Sequence, residues 1–286
     1  MKLGIVGSGM IVGEFLSFIH EIKDIQLIHI SGTQRSEEKL KQIVEQYGFE
    51  RYSTNYEQLL NDQHVDTIYI ALPNHLHFEF AKRALQHHKH VIIEKPMTST
   101  YQEALFLQKI AMENHLFLWE AITNQYLPHY QYIKDHLHEI GNIKIVQCHF
   151  CQYSSRYQKF LEGDILPVFD YTKSGGALMD INIYNIHFVV GLFGEPRISI
   201  IILVLNIILI HRVFLSYNIH IFNVYVLGRK IVNRLHSIPF KEKKDIFMWI
   251  HHQVLSRLLN GLIMMEQAYK QIININMLCM LKCKHL

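Results

Sequence analysis

Cysteine is scarce in this sequence, with four residues among 286. Cys148 and Cys151 are separated by the two intervening residues that many zinc sites use, whereas Cys279 and Cys283 are separated by three. No second pair has a matching spacing, and apolar and polar residues alternate around Cys148 and Cys151 as they do in a strand. We therefore interpret the segment as a strand, with a zinc site as the alternative, and predict no metal.

The sequence also lacks a long apolar run. The apolar stretch at its start is interrupted by Gly7 and Gly9, so it does not resemble a secretory signal and a cytoplasmic location is expected. Residues 198–210 are almost wholly Ile, Leu and Val, but this run is shorter than the roughly 20 residues that cross a bilayer. Apolar residues make up 49% and charged residues 19%, the normal globular range, and the length allows two domains.

Acidic residues are almost absent from the last third. Residues 1–196 hold 16 Lys and Arg against 22 Asp and Glu, whereas residues 197–286 hold 12 against 3. No acidic residue occurs between Arg197 and Glu242. A basic segment can bind nucleic acid or an anionic membrane. Here the basic residues are scattered among isoleucines, without clusters or interleaved aromatics, so neither partner is expected.

Residues 1–121 alternate between apolar runs and helical patterns, which predicts a doubly wound parallel α/β sheet. The order begins with a buried strand that leads into a glycine turn and a helix, as in dinucleotide-binding domains. Strands are predicted at residues 3–6, 25–30, 67–72, 91–93 and 116–119, and helices at 13–20, 36–47, 77–87 and 101–114.

The pattern changes in residues 122–196, where a helix at 130–138, a strand at 143–152 and a helix at 178–190 predict the start of an α+β domain. On the last helix, Asp180, Tyr184 and His187 follow one another at spacings of four and three, so they share one face. A carboxylate, a phenol and an imidazole on one face are unusual for a helix that only packs in a core.

Residues 197–286 contain only Gly228, Gly261 and Pro239 as strong turn residues. One interpretation is a hydrophobic helical end domain. The other is a frameshift, which would leave the second domain incomplete after residue 196. Codons allowed by residues 237–252, shifted by two nucleotides, can encode a hairpin containing Gly-Glu-Lys-Gly. The same frame gives sensible sequence for residues 209–213 and 276–285.

Two strand ends carry candidate chemistry. Gly7, Ser8 and Gly9 lead into a helix whose free N–H groups suit a dinucleotide pyrophosphate, although Val12 makes the glycine pattern imperfect. Lys95 follows an apolar strand, beside Glu94, and is directed toward the same crevice.

These segments, taken together, resemble the Gfo/Idh/MocA oxidoreductases, and within them the dimeric dihydrodiol dehydrogenase branch, which has tyrosine where sugar dehydrogenases often have histidine. The likeness covers residues 1 to about 196. It is carried by the glycine turn at residues 7–9, by residues 71–77, by residues 94–96 and by residues 175–184. The resemblance implies a Rossmann domain, an open-faced sheet domain and NAD(P)-dependent hydride transfer at a carbon that bears a hydroxyl group in a small sugar, polyol or diol.

The cofactor is expected to contact residues from four strand ends. No acidic residue follows the second strand to receive ribose hydroxyls, and Arg35 with neighbouring hydroxyls suits a 2′-phosphate, so NADP is favoured over NAD. Alternatively, Arg35 is a solvated cation at a helix start. His75 and His77 either contact the ribose or face solvent. The expected cofactor-binding residues are Gly7, Ser8, Gly9, Met10, Ile11, Arg35, Leu72, Pro73, Asn74, His77, Glu94 and Lys95.

The resemblance assigns catalysis to Lys95, Tyr184 and Asp180. Lys95 would polarise the substrate oxygen or lower the pKa of Tyr184, the proton donor and acceptor, and Asp180 would orient Lys95 or the substrate. The alternative is that Lys95 only pairs with Glu94 and that Tyr184 is a core aromatic. His187 is interpreted as a packing residue.

The expected partner is a small-molecule substrate, with a homo-oligomer in an intact relative. A further alternative is an inactive remnant that at most binds the dinucleotide.

Overall fold

The first 121 residues form a six-stranded parallel sheet in the computed structural model, which describes residues 1–143, 145–194, 198–206, 209–219 and 222–231. Its strands are β1 (Lys2–Val6), β2 (Gln26–Ser31), β3 (Arg51–Ser53), β4 (Thr67–Ile70), β5 (His90–Glu94) and β6 (Leu118–Ala121). The helices are α1 (Met10–Ser17), α2 (Glu37–Tyr47), α3 (Tyr56–Leu60), α4 (His77–Gln86) and α5 (Tyr101–Glu113).

The strand order of this sheet is β3-β2-β1-β4-β5-β6, which confirms the doubly wound fold. β2 and β3 lie on one side of β1, and β4, β5 and β6 lie on the other, so the direction of the chain across the sheet reverses between β3 and β4. The carboxyl ends of β1 and β4 therefore flank the crevice where such sheets bind ligands.

Apolar side chains cover both faces of this sheet. Leu3 and Ile5 of β1 lie in one buried cluster with residues from α1 and α2, whereas Val6 lies in a second cluster with residues from α4 and α5. All four residues of β4 are buried. Burial of a central strand on both faces is typical of parallel sheets, and it gives the strand ends a rigid base.

Residues 51–60 contain a strand and a helix that the sequence patterns did not predict. Both are short: β3 has three residues and α3 has five, too few to show a hydrophobic period. β6 begins two residues later than expected. Asn55 accepts a hydrogen bond from the Glu57 N–H and so caps α3.

The remaining described residues build helices around a mixed sheet. The helices are α6 (Pro128–His136), α7 (Tyr157–Leu161) and α8 (Ile183–Phe193), and the strands are β7 (Ile145–Tyr153), β8 (Ile198–Asn206), β9 (Leu209–Ile219) and β10 (Phe222–Ile231). The strand order is β7-β10-β9-β8, with β7 and β10 parallel and the other pairs antiparallel. The helical interpretation is therefore wrong for the described part of residues 198–231, and an α+β arrangement is confirmed.

The predicted helix at residues 178–190 is divided in the structure. Leu178–Asn182 forms a π-helical turn, and the α-helical hydrogen bonding of α8 begins at Ile183. The π turn lies against β9 and β10, and α8 lies against β7 and β10. Such turns occur often at functional sites because they widen the helix locally and redirect side chains.

The frameshift interpretation stays a prediction. Residues 237–252 and 276–285, two of the three segments that support it, lie outside the described residues. The third segment, residues 209–213, forms the start of β9. In the described residues, no helix has both the length and the apolar character needed to cross a bilayer.

Candidate active site

The turn after β1 depends on a glycine. Gly7 has φ +119°, and a Cβ atom at this position would lie 2.3 Å from the carbonyl oxygen of Ala71. The Gly7 N–H donates to the carbonyl of Ser31, and the Ala71 N–H donates to the carbonyl of Val6. The turn is thereby fixed to the ends of both β2 and β4, so the three strand ends form one rigid edge.

The amino terminus of α1 opens onto this edge. Gly9 is its N-cap residue, and no side chain caps the helix. A Cβ atom at Gly9 would meet no protein atom within 4 Å, so the space in front of the helix is open where a side chain would otherwise fill it. Backbone N–H groups in the first turn have no intrahelical acceptor. Ser8, Met10 and Ile11 therefore line a cradle that fits an anionic group such as a pyrophosphate.

The end of β2 presents a cation without an acidic partner. Arg35 is exposed and forms no ion pair or hydrogen bond within the part of the chain that the structure describes. Thr33 and Ser36 are joined by reciprocal side-chain and backbone hydrogen bonds, which fix the turn around Arg35. The backbone around Arg35 is therefore fixed after the end of β2, and its exposed side chain is accessible to an anion.

The loop after β4 is tied to neighbouring elements. The Asn74 side chain donates from Nδ2 to the carbonyl of Ser174, at 2.7 Å, and so links this loop to the segment before the π turn. Leu72 is partly buried, whereas Pro73 and His75 are exposed.

His77 is the first residue of α4. It has no exposed surface, and its ring nitrogens lie 2.8 Å from the carbonyl oxygens of Pro96 and Leu72. Burial lowers the pKa of His77, although both carbonyls favour the protonated ring. A side chain in this position supports the loops after β4 and β5 and cannot reach a ribose in the crevice without rearrangement.

Lys95 joins the two sheet regions. It follows β5, and its Nζ donates to the Asp180 Oδ1 at 3.1 Å and to the Asp180 carbonyl oxygen at 2.9 Å. Lys95 Nζ also lies 4.9 Å from the centre of the Tyr184 ring. The side chains of Lys95 and Asp180 are 16% and 20% exposed, so water screens their attraction only weakly. The structure thus brings the three predicted catalytic residues together.

Charge and burial compete in this group. Burial is the largest single effect on the pKa of Lys95 and would lower it, but Asp180, Tyr184 and Glu94 together outweigh burial, and the pKa is raised. Burial also raises the pKa of Tyr184, and the opposing effect of the Lys95 charge is smaller. Lys95 therefore acts to lower the pKa of Tyr184, as expected, but burial acts more strongly and the pKa is raised. At neutral pH the site holds an ammonium beside a neutral phenol.

Glu94 supports Lys95 from the strand. The Tyr69 hydroxyl donates to Glu94 Oε1 at 2.6 Å, and the Lys95 N–H donates to Glu94 Oε2 at 3.3 Å. Burial raises the pKa of Glu94 despite these donors and the Lys95 charge. Lys95 Nζ bonds to Asp180, so the alternative in which Lys95 only pairs with Glu94 does not describe the observed contacts.

A further contact beside the site joins Glu120 and His187, neither of which is among the predicted catalytic or cofactor-binding residues. The Glu120 Oε2 lies 3.0 Å from the Nε2 of His187, which had been interpreted as a packing residue. Glu120 lies near the end of β6, next to β5, and His187 shares a helix face with Tyr184. Both positions carried a usable signal, since one is a strand-end carboxylate and the other lies three residues after Tyr184.

The cysteine pair does not belong to this site. Both residues lie in β7, where the alternating pattern had predicted a strand. Burial raises the pKa of the Cys148 thiol to about 11, which makes it unreactive near neutral pH. Within the described ranges, no group of three or more His, Cys, Asp or Glu side chains could hold a metal ion.

Residues 1–122 match the model of the oxidoreductase family with an NAD-binding Rossmann fold, Gfo/Idh/MocA. This match covers the region of the six-stranded parallel sheet. The chain is 34% identical over 197 residues to scyllo-inositol 2-dehydrogenase (NADP(+)) IolU of Bacillus subtilis, a match that covers 69% of this chain and 60% of that protein. It is 25% identical over 198 residues to trans-1,2-dihydrobenzene-1,2-diol dehydrogenase of Xenopus tropicalis, covering 68% and 58%.

Among solved structures, KijD10, a 3-ketoreductase from Actinomadura kijaniata in complex with NADP and TDP-benzene, is similar with a TM-score of 0.71 and 25% identity. The match covers 81% of this chain and 71% of that chain. The chain spans about three fifths of the length of the two relatives compared by sequence, 60% and 58%. The structural likeness extends over more of the chain, 81% against 69% for the first of those relatives.

Proposed function

We propose that this protein is an NAD(P)-dependent oxidoreductase that transfers hydride between the nicotinamide and a carbinol or carbonyl carbon of a small sugar, polyol or diol. The observation that carries this proposal is the convergence of Lys95, Asp180 and Tyr184 at the carboxyl edge of a parallel sheet. An ammonium and a neutral phenol in one site suit the polarisation and protonation of a carbonyl oxygen. The names of the two sequence relatives point to the same class of reaction.

The dinucleotide would lie across the ends of β1, β2 and β4. Gly7, Ser8, Gly9, Met10 and Ile11 would bind the pyrophosphate through backbone N–H groups. Leu72, Pro73 and Asn74 would border the nicotinamide half, with His77 as support from below. The bound cofactor supplies or accepts the hydride.

The preferred cofactor is NADP. An exposed guanidinium at the end of β2 matches the charge and geometry of a 2′-phosphate. The name of the relative IolU specifies NADP(+), which agrees with this preference. Equal dissociation constants for NADPH and NADH would remove the role given to Arg35.

Tyr184 would donate a proton to the carbonyl oxygen during reduction and accept one during oxidation. Lys95 would stabilise the negative charge that develops on that oxygen, and Asp180 would fix the direction of the Lys95 side chain. Glu94 would hold the strand end through its contact with the Lys95 N–H. These roles need no metal, because the Lys95 ammonium polarises the oxygen.

The domain limits, with a cofactor domain at residues 1–121 and a second domain from residue 122, belong to the same proposal. The expected partner is the small-molecule substrate. A homo-oligomer is expected for an intact relative, and the mass of this protein in solution tests whether it assembles in the same way. The cytoplasmic location also stays a prediction.

The decisive experiment measures NADPH binding and turnover on the same purified full-length protein. Binding is followed by cofactor fluorescence, and turnover at 340 nm with scyllo-inositol, glucose 6-phosphate and trans-1,2-dihydrobenzene-1,2-diol. Turnover that Lys95→Met removes supports the proposal. Tight NADPH binding without turnover of any small polyol, sugar or diol would favour the remnant.

Resequencing the coding DNA around codon 197 tests the frameshift separately. A corrected frame containing Gly-Glu-Lys-Gly would make residues 197–286 an artefact. A confirmed sequence would show that the tail belongs to the gene as written.

A further inference from the structure

Glu120 contacts two different parts of the site with one carboxylate. Its Oε1 accepts a hydrogen bond from the Met97 N–H at 2.9 Å, and its Oε2 lies 3.0 Å from the His187 Nε2. Met97 is two residues beyond Lys95, and His187 is three residues beyond Tyr184. The Glu120 side chain is 14% exposed and that of His187 is 24% exposed, so both contacts are largely shielded from water.

The surrounding donors decide which nitrogen of His187 carries the proton. Gln125 Nε2 donates to the carbonyl oxygen of His187 at 2.7 Å, which fixes the orientation of this amide. The same Nε2 lies 3.4 Å from the His187 Nδ1. Because an amide nitrogen only donates, Nδ1 must be the acceptor there. The Nε2–H of His187 is then directed at Glu120.

Two residues that closely follow Glu120 in the chain also contact α8. Asn124 Nδ2 donates to the carbonyl oxygen of Tyr184, in addition to the Gln125 contact with the His187 carbonyl. The segment from Glu120 to Gln125 therefore contacts α8 at Tyr184 and at His187. Glu120 is the member of this segment that also contacts the Lys95 loop.

We propose that Glu120 is a positioning residue that sets the separation of Lys95 and Tyr184, with His187 as its partner on α8. The inference rests on the proposed hydride transfer. Glu120 contacts neither side chain directly and acts through the Met97 N–H and the His187 ring. Hydrogen bonds to a carboxylate are stronger than neutral ones, and a displacement of about 1 Å in a catalytic group can cost on the order of 100-fold in rate.

Substitutions that change one contact at a time test the proposal. Glu120→Ala removes both contacts and should lower kcat by about 10- to 100-fold, with the NADPH dissociation constant unchanged. Glu120→Gln has a single acceptor oxygen, so it can keep only one of the two contacts and should lower kcat less than Glu120→Ala does. His187→Gln can place its Nε2 donor near the position of the histidine Nε2 and should keep kcat near the wild-type value. His187→Asn has a shorter side chain that does not reach this position, so it should lower kcat.

Amide hydrogen exchange gives a measurement that does not depend on turnover. The Met97 N–H lies outside the strands and helices, and its observed partner is Glu120. Glu120→Ala should speed exchange at Met97 and in α8, whereas His187→Ala should affect α8 only. His136→Ala is the matched control, because its pair with Glu139 is exposed and lies at 4.0 Å. It should change neither turnover nor exchange.

Two results would overturn the proposal. One is a Glu120→Ala variant with wild-type kcat and wild-type exchange at Met97. The other is equal activity of His187→Gln and His187→Asn. If the wild-type protein turns over no substrate, the proposed function fails, and the exchange data still decide the positioning role because they need only the folded chain.

Discussion

The two sheets of this protein are specified by different kinds of sequence information. In the first, every parallel strand returns through a crossover, and the close approach of β1 to the end of β4 requires Gly7, with φ +119°. In the second, β8, β9 and β10 follow one another in antiparallel pairs, with only two residues between successive strands and none of them Gly, Asn, Asp or Pro. Such short connections usually contain these residues.

The difference matters because the candidate site lies between the two regions. Lys95 and Glu120 follow strands of the first sheet, whereas Asp180, Tyr184 and His187 lie on the helical segment that packs against β7 and β10. In the proposed function, cofactor binding depends on the first region alone. Chemistry depends on both, so the two properties can be separated by substitution.

The largest expected effect is the loss of chemistry without loss of cofactor binding. Lys95→Met removes the ammonium that pairs with Asp180, and turnover should fall by about 10³-fold or more. The NADPH dissociation constant, measured by fluorescence titration, should change far less than turnover, because Lys95 is only one of the expected cofactor-binding residues. Lys109→Met in α5 is the control, since its side chain is 71% exposed and its ion pair is with Glu113 of the same helix. Retained turnover in Lys95→Met would show that the catalytic assignment is wrong.

Tyr184 provides a test through pH. Burial raises its pKa, so the neutral phenol that carbonyl reduction needs persists above about pH 10, the ordinary value for tyrosine. Reduction should therefore hold its rate into the alkaline range, and oxidation, which needs the phenolate, should rise with pH from 7 to 10 without a plateau. Tyr184→Phe should lose about 100-fold in rate and this pH dependence. A plateau of the wild-type oxidation rate below pH 9 would contradict the assignment.

Substitutions at two glycines should affect stability and cofactor binding separately within the first region. Gly7→Ala forces a Cβ against the Ala71 carbonyl and into a strained backbone, which should cost about 2–3 kcal/mol of unfolding free energy in urea. At Gly9 the protein leaves open space, so Gly9→Ala should keep its stability and lose NADPH affinity. If Gly9→Ala binds NADPH as tightly as wild type, the cradle in front of α1 is not the pyrophosphate site.

Much of the first region was predictable because its signals are local. The Gly7 turn, the alternation of elements and the position of Lys95 at a strand end were all visible in the sequence. β3 and α3 were not, because three and five residues are too few to show a period. The strands after residue 197 were missed because their connections lack turn residues. The Glu120 and His187 pair joins residues 67 positions apart, a contact that only the folded chain reveals.

The smallest expected effect concerns the choice between the two cofactors. Arg35 is exposed, so its contact with a 2′-phosphate would be partly screened, and Arg35→Ala should reduce the preference for NADPH over NADH by about 10-fold. NADH affinity should not change, because NADH lacks the phosphate. Lys39→Ala, which removes another exposed cation one turn along α2, serves as the control for general electrostatic attraction. If both variants lower NADPH affinity equally, Arg35 contributes only net charge, and the NADP preference must have another source.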